Sequence, residues 1–188
     1  IYNDALIYTK EYKLYKEESR IYWILSGIYR NTNELDASIA YANKSIECSK
    51  NINNYYGVAN AYEEKADSLI LQDKDIDAAN SYVESAHYFN KIEQFSDAYQ
   101  NNISKAINLY SKSGLKSKVN ELLNQLILDA SSKIDAGKII DVMLDCSDEN
   151  TSSNFEKLFD SYFSKQNSIN IITSFFDFIN YCKTLPLE

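Results

Sequence analysis

Apolar and small residues recur every three to four positions along most of this chain, which is the spacing of one face of an α-helix. Two segments, ELDASIAYANKSIE around Leu35 and DIDAANSYVESAHYF around Ile76, share one order of residues: large apolar, small, tyrosine, small. Their small residues Ser38 and Ala79 lie 41 positions apart. A unit that recurs every roughly 35 to 45 residues predicts a stack of helical hairpins.

The same periodicity predicts a series of helices separated by short polar turns. They cover residues 4–16, 18–30, 35–50, 56–72, 76–90, 95–113 and 115–128, with weaker segments at 135–146, 154–166 and 169–184. Gly114 can adopt the positive φ that ends a helix. The predicted fold is all-α: a right-handed solenoid of antiparallel, tetratricopeptide-like helix hairpins over residues 1–130. Residues 131–188 are predicted to form a C-terminal helical cap of the same elongated domain.

Composition agrees with a helical protein and adds little chemistry. The chain has 188 residues, of which 45% are hydrophobic and 24% charged, with four glycines and one proline. Sheets need turn residues far more often than this. The longest apolar stretches fall short of the about 20 residues that span a bilayer, so we expect a cytoplasmic protein without a transmembrane segment.

Candidate catalytic and metal-binding residues are sparse. The three cysteines are widely separated, and His87 is the only histidine, so the paired ligands of a zinc site are missing. No phosphate-binding or dinucleotide-binding glycine motif occurs. We therefore expect no catalytic residue, no metal and no cofactor, and we interpret His87 and the cysteines as packing or surface residues. Trp23, one position beyond the packing stripe, is expected at an edge.

The middle of the chain resembles the soluble NSF attachment proteins (SNAPs). The resemblance is carried by DAANSYVESAHYFNK followed by DAYQNNISKAINLYSKSG, and it extends more weakly over residues 56–181. The matching positions are Ala78, Ala79, Tyr82, Val83, Ala86, Ala106, Ile107, Leu109, Tyr110 and Gly114. The family's hydrophobic N-terminal loop and its C-terminal tail have no counterpart in this sequence.

The resemblance implies a non-catalytic adaptor in vesicle trafficking. Members of the family wrap a four-helix SNARE complex and recruit the NSF ATPase that disassembles it. SNARE complexes and NSF are therefore the expected partners, with peripheral membrane association through them. Such a role requires an extended surface with charge complementary to an acidic helical bundle.

A local positive charge fits an acidic partner. From Ala98 to Asn120 the chain has no Asp or Glu, while it carries four lysines in a protein of net charge −8. These lysines, here called the lysine patch, are Lys105, Lys112, Lys116 and Lys118. They form either a solvated face or a docking site for an acidic helix. The overall negative charge disfavours nucleic acid.

Three classes of function remain open from the sequence. The first is the SNAP-like adaptor. The second is a tetratricopeptide-like scaffold that binds a peptide or partner protein, which should show a groove with Asn, Lys or Arg side chains clustered on its inner helices. The third is an enzyme domain in the C-terminal region, where the helical pattern is weakest.

Overall fold

The computed structural model describes residues 2–92 and 96–129, and every regular element within these ranges is an α-helix. The all-α class is therefore confirmed for this part of the chain. The helices are α1 Tyr2–Glu11, α2 Tyr15–Asn31, α3 Leu35–Asn51, α4 Tyr55–Leu71, α5 Asp75–Asn90, α6 Ser96–Lys112 and α7 Lys116–Asp129.

Helices α2 to α7 begin and end within three residues of the predicted bounds. The prediction of one continuous helix over residues 4–16 was wrong, because α1 ends at Glu11 and α2 begins at Tyr15. The intervening turn places Lys13 at φ 53°. Lysine has no preference for turns, so neither this residue nor the apolar pattern around it indicated the break.

The turns between consecutive helices share one hydrogen-bonded geometry. In five of them a backbone N–H donates to the carbonyl oxygen five residues earlier at 2.8–3.0 Å, as in the Schellman ending of a helix. The donors are Leu14, Glu34, Asn54, Lys74 and Leu115. Each follows a residue with positive φ: Lys13, Asn33, Asn53, Asp73 and Gly114. The first four of these turns follow one another at a constant interval of twenty positions, so each helix and its turn form a unit of constant length.

Neighbouring helices pack through buried small residues. Helix α2 packs against α3, α3 against α4, α4 against α5 and α5 against α6, and α2 also contacts α4. The Ser45 hydroxyl donates to the Ser19 carbonyl at 2.9 Å, and the Ser85 hydroxyl donates to the Ala59 carbonyl at 2.8 Å. Donor and acceptor of the second pair each lie forty positions after those of the first. These two serine hydrogen bonds are thus separated by forty positions, which is twice the interval between turns.

This period shifts the sequence alignment by one position. The sequence aligned Ser38 with Ala79 at a spacing of 41 positions, whereas the structural equivalent of Ser38 is Ala78. Ser38, Ala78 and Ala79 are all completely buried. Either alignment puts a small residue into the helix interface, so burial of small residues alone does not distinguish the two.

The chain divides into two compact units, residues 1–119 and 120–188, and the division falls within α7. In the second unit the structure describes residues 120–129, among which Leu122, Leu123 and Leu126 are buried. The predicted C-terminal cap at 131–188 and its three weaker helical segments lie outside the described residues. None of α1 to α7 is both long enough and apolar enough to cross a membrane.

Candidate functional site

A groove of about 380 Å³ opens between α2 and α4. Two further contacts fix the register of these helices: Gly27 faces Glu64, where an added Cβ would lie 3.5 Å from Oε1, and Arg30 reaches Asp67. The helices therefore run in the same direction. The walls of this α2–α4 groove are formed by Lys16, Arg20, Trp23, Asn54, Tyr56 and Asn60.

Helical spacing places the wall residues on facing sides. Lys16, Arg20 and Trp23 are four and three residues apart, and Tyr56 and Asn60 are four apart, so each set lies on one face of its helix. The two sets are also related by the forty-position interval, since Tyr56 lies forty positions after Lys16 and Asn60 forty positions after Arg20. Positions separated by this interval thus form opposite walls of the groove.

The turn that leads into α4 approaches the groove closely because of Gly57. A Cβ at this position would lie 2.7 Å from the Ser49 hydroxyl oxygen and 2.5 Å from Asn54 Nδ2. Without that atom, the Asn54 side-chain oxygen accepts a hydrogen bond from the Gly57 N–H at 3.1 Å and caps α4.

Hydroxyl groups form the floor of the groove. Ser19 and Ser45 line it and are 3% and 1% exposed. The Ser19 hydroxyl also hydrogen-bonds the buried hydroxyl of Ser49. The floor is therefore polar, although its hydrogen-bonding groups are already engaged with one another.

Lys16 and Arg20, the two cations that line the groove, lack a counterion among the described residues. Lys16 and Arg20 are exposed, and neither makes an ion pair or side-chain hydrogen bond within the part of the chain that the structure describes. Trp23 beside them is 39% exposed. This combination leaves positive charge and an aromatic surface accessible to a ligand.

The other end of the α2–α4 interface is closed by ion pairs. Arg30 Nε lies 2.7 Å from Glu64 Oε1, and Arg30 Nη1 lies 3.3 Å from Asp67 Oδ2. Asp67 also accepts a hydrogen bond from the Tyr82 hydroxyl of α5. Glu63, the third carboxylate, lies 3.8 Å from Lys105 Nζ of α6. We call Glu63, Glu64 and Asp67 the acidic cluster.

Burial and neighbouring charges shift the pKa values of these groups. Loss of solvent raises the pKa of Glu64 above its ordinary value, and the Arg30 guanidinium opposes that rise. Burial likewise raises the pKa of Glu63, with Lys105 opposing. The pKa of Tyr82 is raised strongly, first by burial and then by the hydrogen-bonded Asp67 carboxylate. Three carboxylates and two cations leave this end with a net negative charge.

The lysine patch is partly engaged inside the protein. Lys105 pairs with Glu63, and its Nζ lies 4.8 Å from the ring centroid of Tyr82. Lys112 Nζ lies 2.7 Å from Asp75 Oδ2, and this hydrogen bond raises the pKa of Lys112. Two of the four predicted site residues therefore meet carboxylates of α4 and α5.

The other two lysines lie on the first turn of α7, where both are exposed. Lys118 Nζ lies 5.7 Å from the ring centroid of Tyr110, and Lys116 is the first residue of the helix. The lysine patch is thus divided between α6, whose two lysines pair with carboxylates, and the exposed first turn of α7.

The remaining sequence candidates have ordinary surroundings. His87 is exposed on α5 and meets Tyr88 edge-on. Cys48 is a half-buried free thiol packed against the cluster of Leu6, Tyr22 and Leu25. Within residues 2–92 and 96–129, the acidic, cysteine and histidine side chains form no group that could hold a metal ion.

Sequence reasoning placed Trp23 at an edge but did not identify the groove. The sequence nevertheless carried a sign of the groove, because Lys16 and Arg20 share a helix face and Tyr56 and Asn60 lie forty positions after them.

No protein-family model, curated protein or solved structure matches this chain. Its function is therefore inferred from the geometry of the site.

Proposed function

We propose that this protein is a non-catalytic interaction scaffold that binds a segment of a partner protein in the α2–α4 groove. The framework is a right-handed solenoid of antiparallel, tetratricopeptide-like hairpins. One observation carries the proposal: Lys16, Arg20 and Asn60 cluster beside Trp23 on two adjacent helices, and the two cations have no counterion within the described part of the chain.

The repeated architecture supports the scaffold part of the proposal. Turns of one geometry recur at a constant interval, and equivalent serine hydrogen bonds recur at twice that interval. Helix α2 also contacts α4, its second neighbour along the chain. In a stack of hairpins, alternate helices contact each other in this way and form a continuous binding surface.

The composition of the groove supports the binding part. Its volume of about 380 Å³ accommodates a few side chains of a partner segment. Tryptophan, tyrosine and arginine are enriched where proteins bind one another, because they combine large contact area with directed hydrogen bonds. Trp23, Tyr56 and Arg20 provide these residue types together.

A selection from a random peptide-display library tests this function directly. Trp23 is the only tryptophan of the chain, so its intrinsic fluorescence reports ligand in the groove without a label. Selected peptides are expected to change this fluorescence saturably. Their affinity should fall at least about tenfold in Asn60→Phe, which fills the groove.

Asn43→Phe is the matched control, because Asn43 is an exposed asparagine of α3 that does not line the groove. It should leave affinity unchanged. Peptides that bind Asn60→Phe as tightly as the wild type, or a selection that yields no binder sensitive to this substitution, would exclude the groove as the binding site.

The SNARE adaptor that recruits NSF is a second candidate. The exposure of Lys116 and Lys118 at the start of α7 favours it, because these cations are accessible to an acidic helical bundle. This role would place the protein in the cytoplasm, with peripheral membrane association through its partners. The C-terminal cap at residues 131–188 belongs to this proposal as well.

A pull-down with an assembled SNARE complex, with and without NSF, tests the second candidate. Replacement of all four patch lysines by glutamate should abolish capture. The control replaces four exposed lysines outside the patch by glutamate: Lys13, Lys44, Lys74 and Lys91. Equal capture by both quadruple variants would remove the lysine patch as the docking site.

A further inference from the structure

The charge along the α2–α4 interface changes sign, from positive at the groove to negative at the acidic cluster beyond it. Lys16 and Arg20 lie four residues apart on α2 and provide two positive charges that form no ion pair with a described carboxylate. An acidic side chain of a bound segment would be the missing partner. Arginine binds carboxylates through two parallel hydrogen bonds, which makes such a contact directional as well as attractive.

The surface next to these cations is aromatic. Trp23 follows Arg20 by three residues and is 39% exposed, and Tyr56 on the facing wall is 49% exposed. An apolar side chain that covers these rings would remove their surface from water, which stabilises the bound state. The ligand is therefore expected to carry an apolar residue beside its acidic one.

Farther along α4 the sign of the charge reverses. Glu63, Glu64 and Asp67 face two cations, Arg30 and Lys105, so one negative charge remains uncompensated among the described residues. Burial is the largest cause of the raised pKa values of Glu63 and Glu64, and the neighbouring Asp67 carboxylate adds to the rise. A second acidic side chain of the ligand would be repelled here, whereas a basic one would be attracted.

The spacing between the two ends follows from the helix register. Gly27 faces Glu64, and the same offset between the two helices places Arg20 opposite Gly57. Glu63 is six residues beyond Gly57, or about 9 Å along α4. An extended chain covers this distance with about three residues.

We infer that the groove selects segments in which an acidic residue, an adjacent apolar residue and, about three residues from the acid, a basic residue occur together. This inference rests on the proposed function, since it specifies the ligand of the same groove. Charge, rather than shape alone, then determines how the segment lies along α4.

Three synthetic peptides of equal length test the inference. Each has leucine at the third position, and the second and fifth positions carry acid and base, acid and acid, or base and base. Titration is followed by the fluorescence of Trp23. The acid–base peptide should bind tightest, the acid–acid peptide about fivefold weaker and the base–base peptide at least about tenfold weaker.

Charge changes in the protein should redirect these preferences. In Glu63→Lys, the acid–acid peptide should equal or exceed the acid–base peptide, because the repelling charge has been reversed. In Arg20→Glu, the base–base peptide should become the tightest of the three. Lys74→Glu, a change at an exposed lysine outside the groove, should leave the order of the wild type intact.

The outcomes separate this inference from the function on which it rests. If the base–base peptide binds wild type tightest, or if Glu63→Lys leaves the order unchanged, the charge assignment is overturned while groove binding stands. Failure of all three peptides to change Trp23 fluorescence, when display-selected peptides do change it, likewise overturns the inference alone. Failure of the display selection itself rejects the groove.

Discussion

The two ends of the α2–α4 interface are formed by the same two helices in one register, yet they differ in how their charges are satisfied. At one end Lys16 and Arg20 line an open groove without a counterion in the described part of the chain. At the other end Arg30 bridges Glu64 and Asp67 at 2.7 and 3.3 Å. The helix framework is thus common to both ends, while side-chain chemistry pairs charges at one end and leaves the cations of the other end without a described counterion.

This difference has a physical consequence for the two arginines of α2. Removing a partner from a partly buried carboxylate leaves a desolvated charge, whereas removing an exposed cation leaves nothing unsatisfied. Arg30 should therefore contribute to the free energy of unfolding, and Arg20 to ligand affinity. The following predictions test that division, starting from the largest expected effect.

Arg30→Ala should lower the free energy of unfolding by about 1–3 kcal/mol, because it leaves Glu64 without its guanidinium partner. The value is below that for fully buried pairs because the Arg30 side chain is 29% exposed. Arg20→Ala, the control on the same helix, should stay within about 0.5 kcal/mol of the wild type. Urea unfolding followed by circular dichroism measures both, and equal losses would show that the two ends do not differ.

The two glycines of the interface should respond with opposite signs. Gly57→Ala should lower the free energy of unfolding by about 1 kcal/mol, because the new methyl group displaces the Asn54 cap or Ser49. Gly27→Ala should raise it by about 0.5–1 kcal/mol, since its Cβ meets Glu64 at an ordinary 3.5 Å and alanine favours the helix. Thermal and urea unfolding of both variants measure the difference. A stabilising Gly57→Ala would mean that the turn before α4 adapts without cost.

The smallest expected effect is a pH dependence of the free energy of unfolding, which arises from the acidic cluster. Because burial raises the pKa values of Glu63 and Glu64 in the folded protein, the folded state binds these protons more tightly than the unfolded state. Their contribution to stability should fall as the pH rises from about 4.3, the ordinary pKa of Glu, through the raised values. It should be constant above them.

The loss caused by Arg30→Ala should accordingly be largest above the raised pKa of Glu64 and shrink as the pH falls through it, because Glu64 then becomes protonated and no longer needs a cation. Urea unfolding of the wild type and the variant at matched pH values measures this change. Glu64→Gln in the Arg30→Ala background is the control, and it should remove most of the pH dependence of the loss. A loss that does not vary with pH would show that Glu64 is not the group left unpaired.

Much of the fold was predictable because helix periodicity is local. The apolar spacing located α2 to α7 within three residues, and Asn33, Asn53, Asp73 and Gly114 occupy turns that favour such residues. The break at Lys13 was missed, since lysine has no preference for a positive φ. There the repeated turn geometry prevailed over the residue's own tendency.

The candidate site was predictable only in part. The sequence singled out Lys105 and Lys112 from the lack of nearby carboxylates along the chain, but Glu63 and Asp75 approach them from other helices. Lys16 and Arg20 do not stand out in the sequence, where Glu17 and Glu18 lie between them. Glu18 instead accepts a hydrogen bond from the Tyr22 hydroxyl, away from the groove wall.

The sequence by itself determined that the described chain is helical, where most helices begin and end, and that their small residues are buried between neighbours. These properties depend on spacing along one helix, so the order of residues is sufficient. The tertiary structure decided the exact period of the repeat, the opposition of Lys16 and Arg20 to Tyr56 and Asn60, and the pairing of Arg30 with Glu64. Each of these depends on the register between helices, which determines the charges that meet.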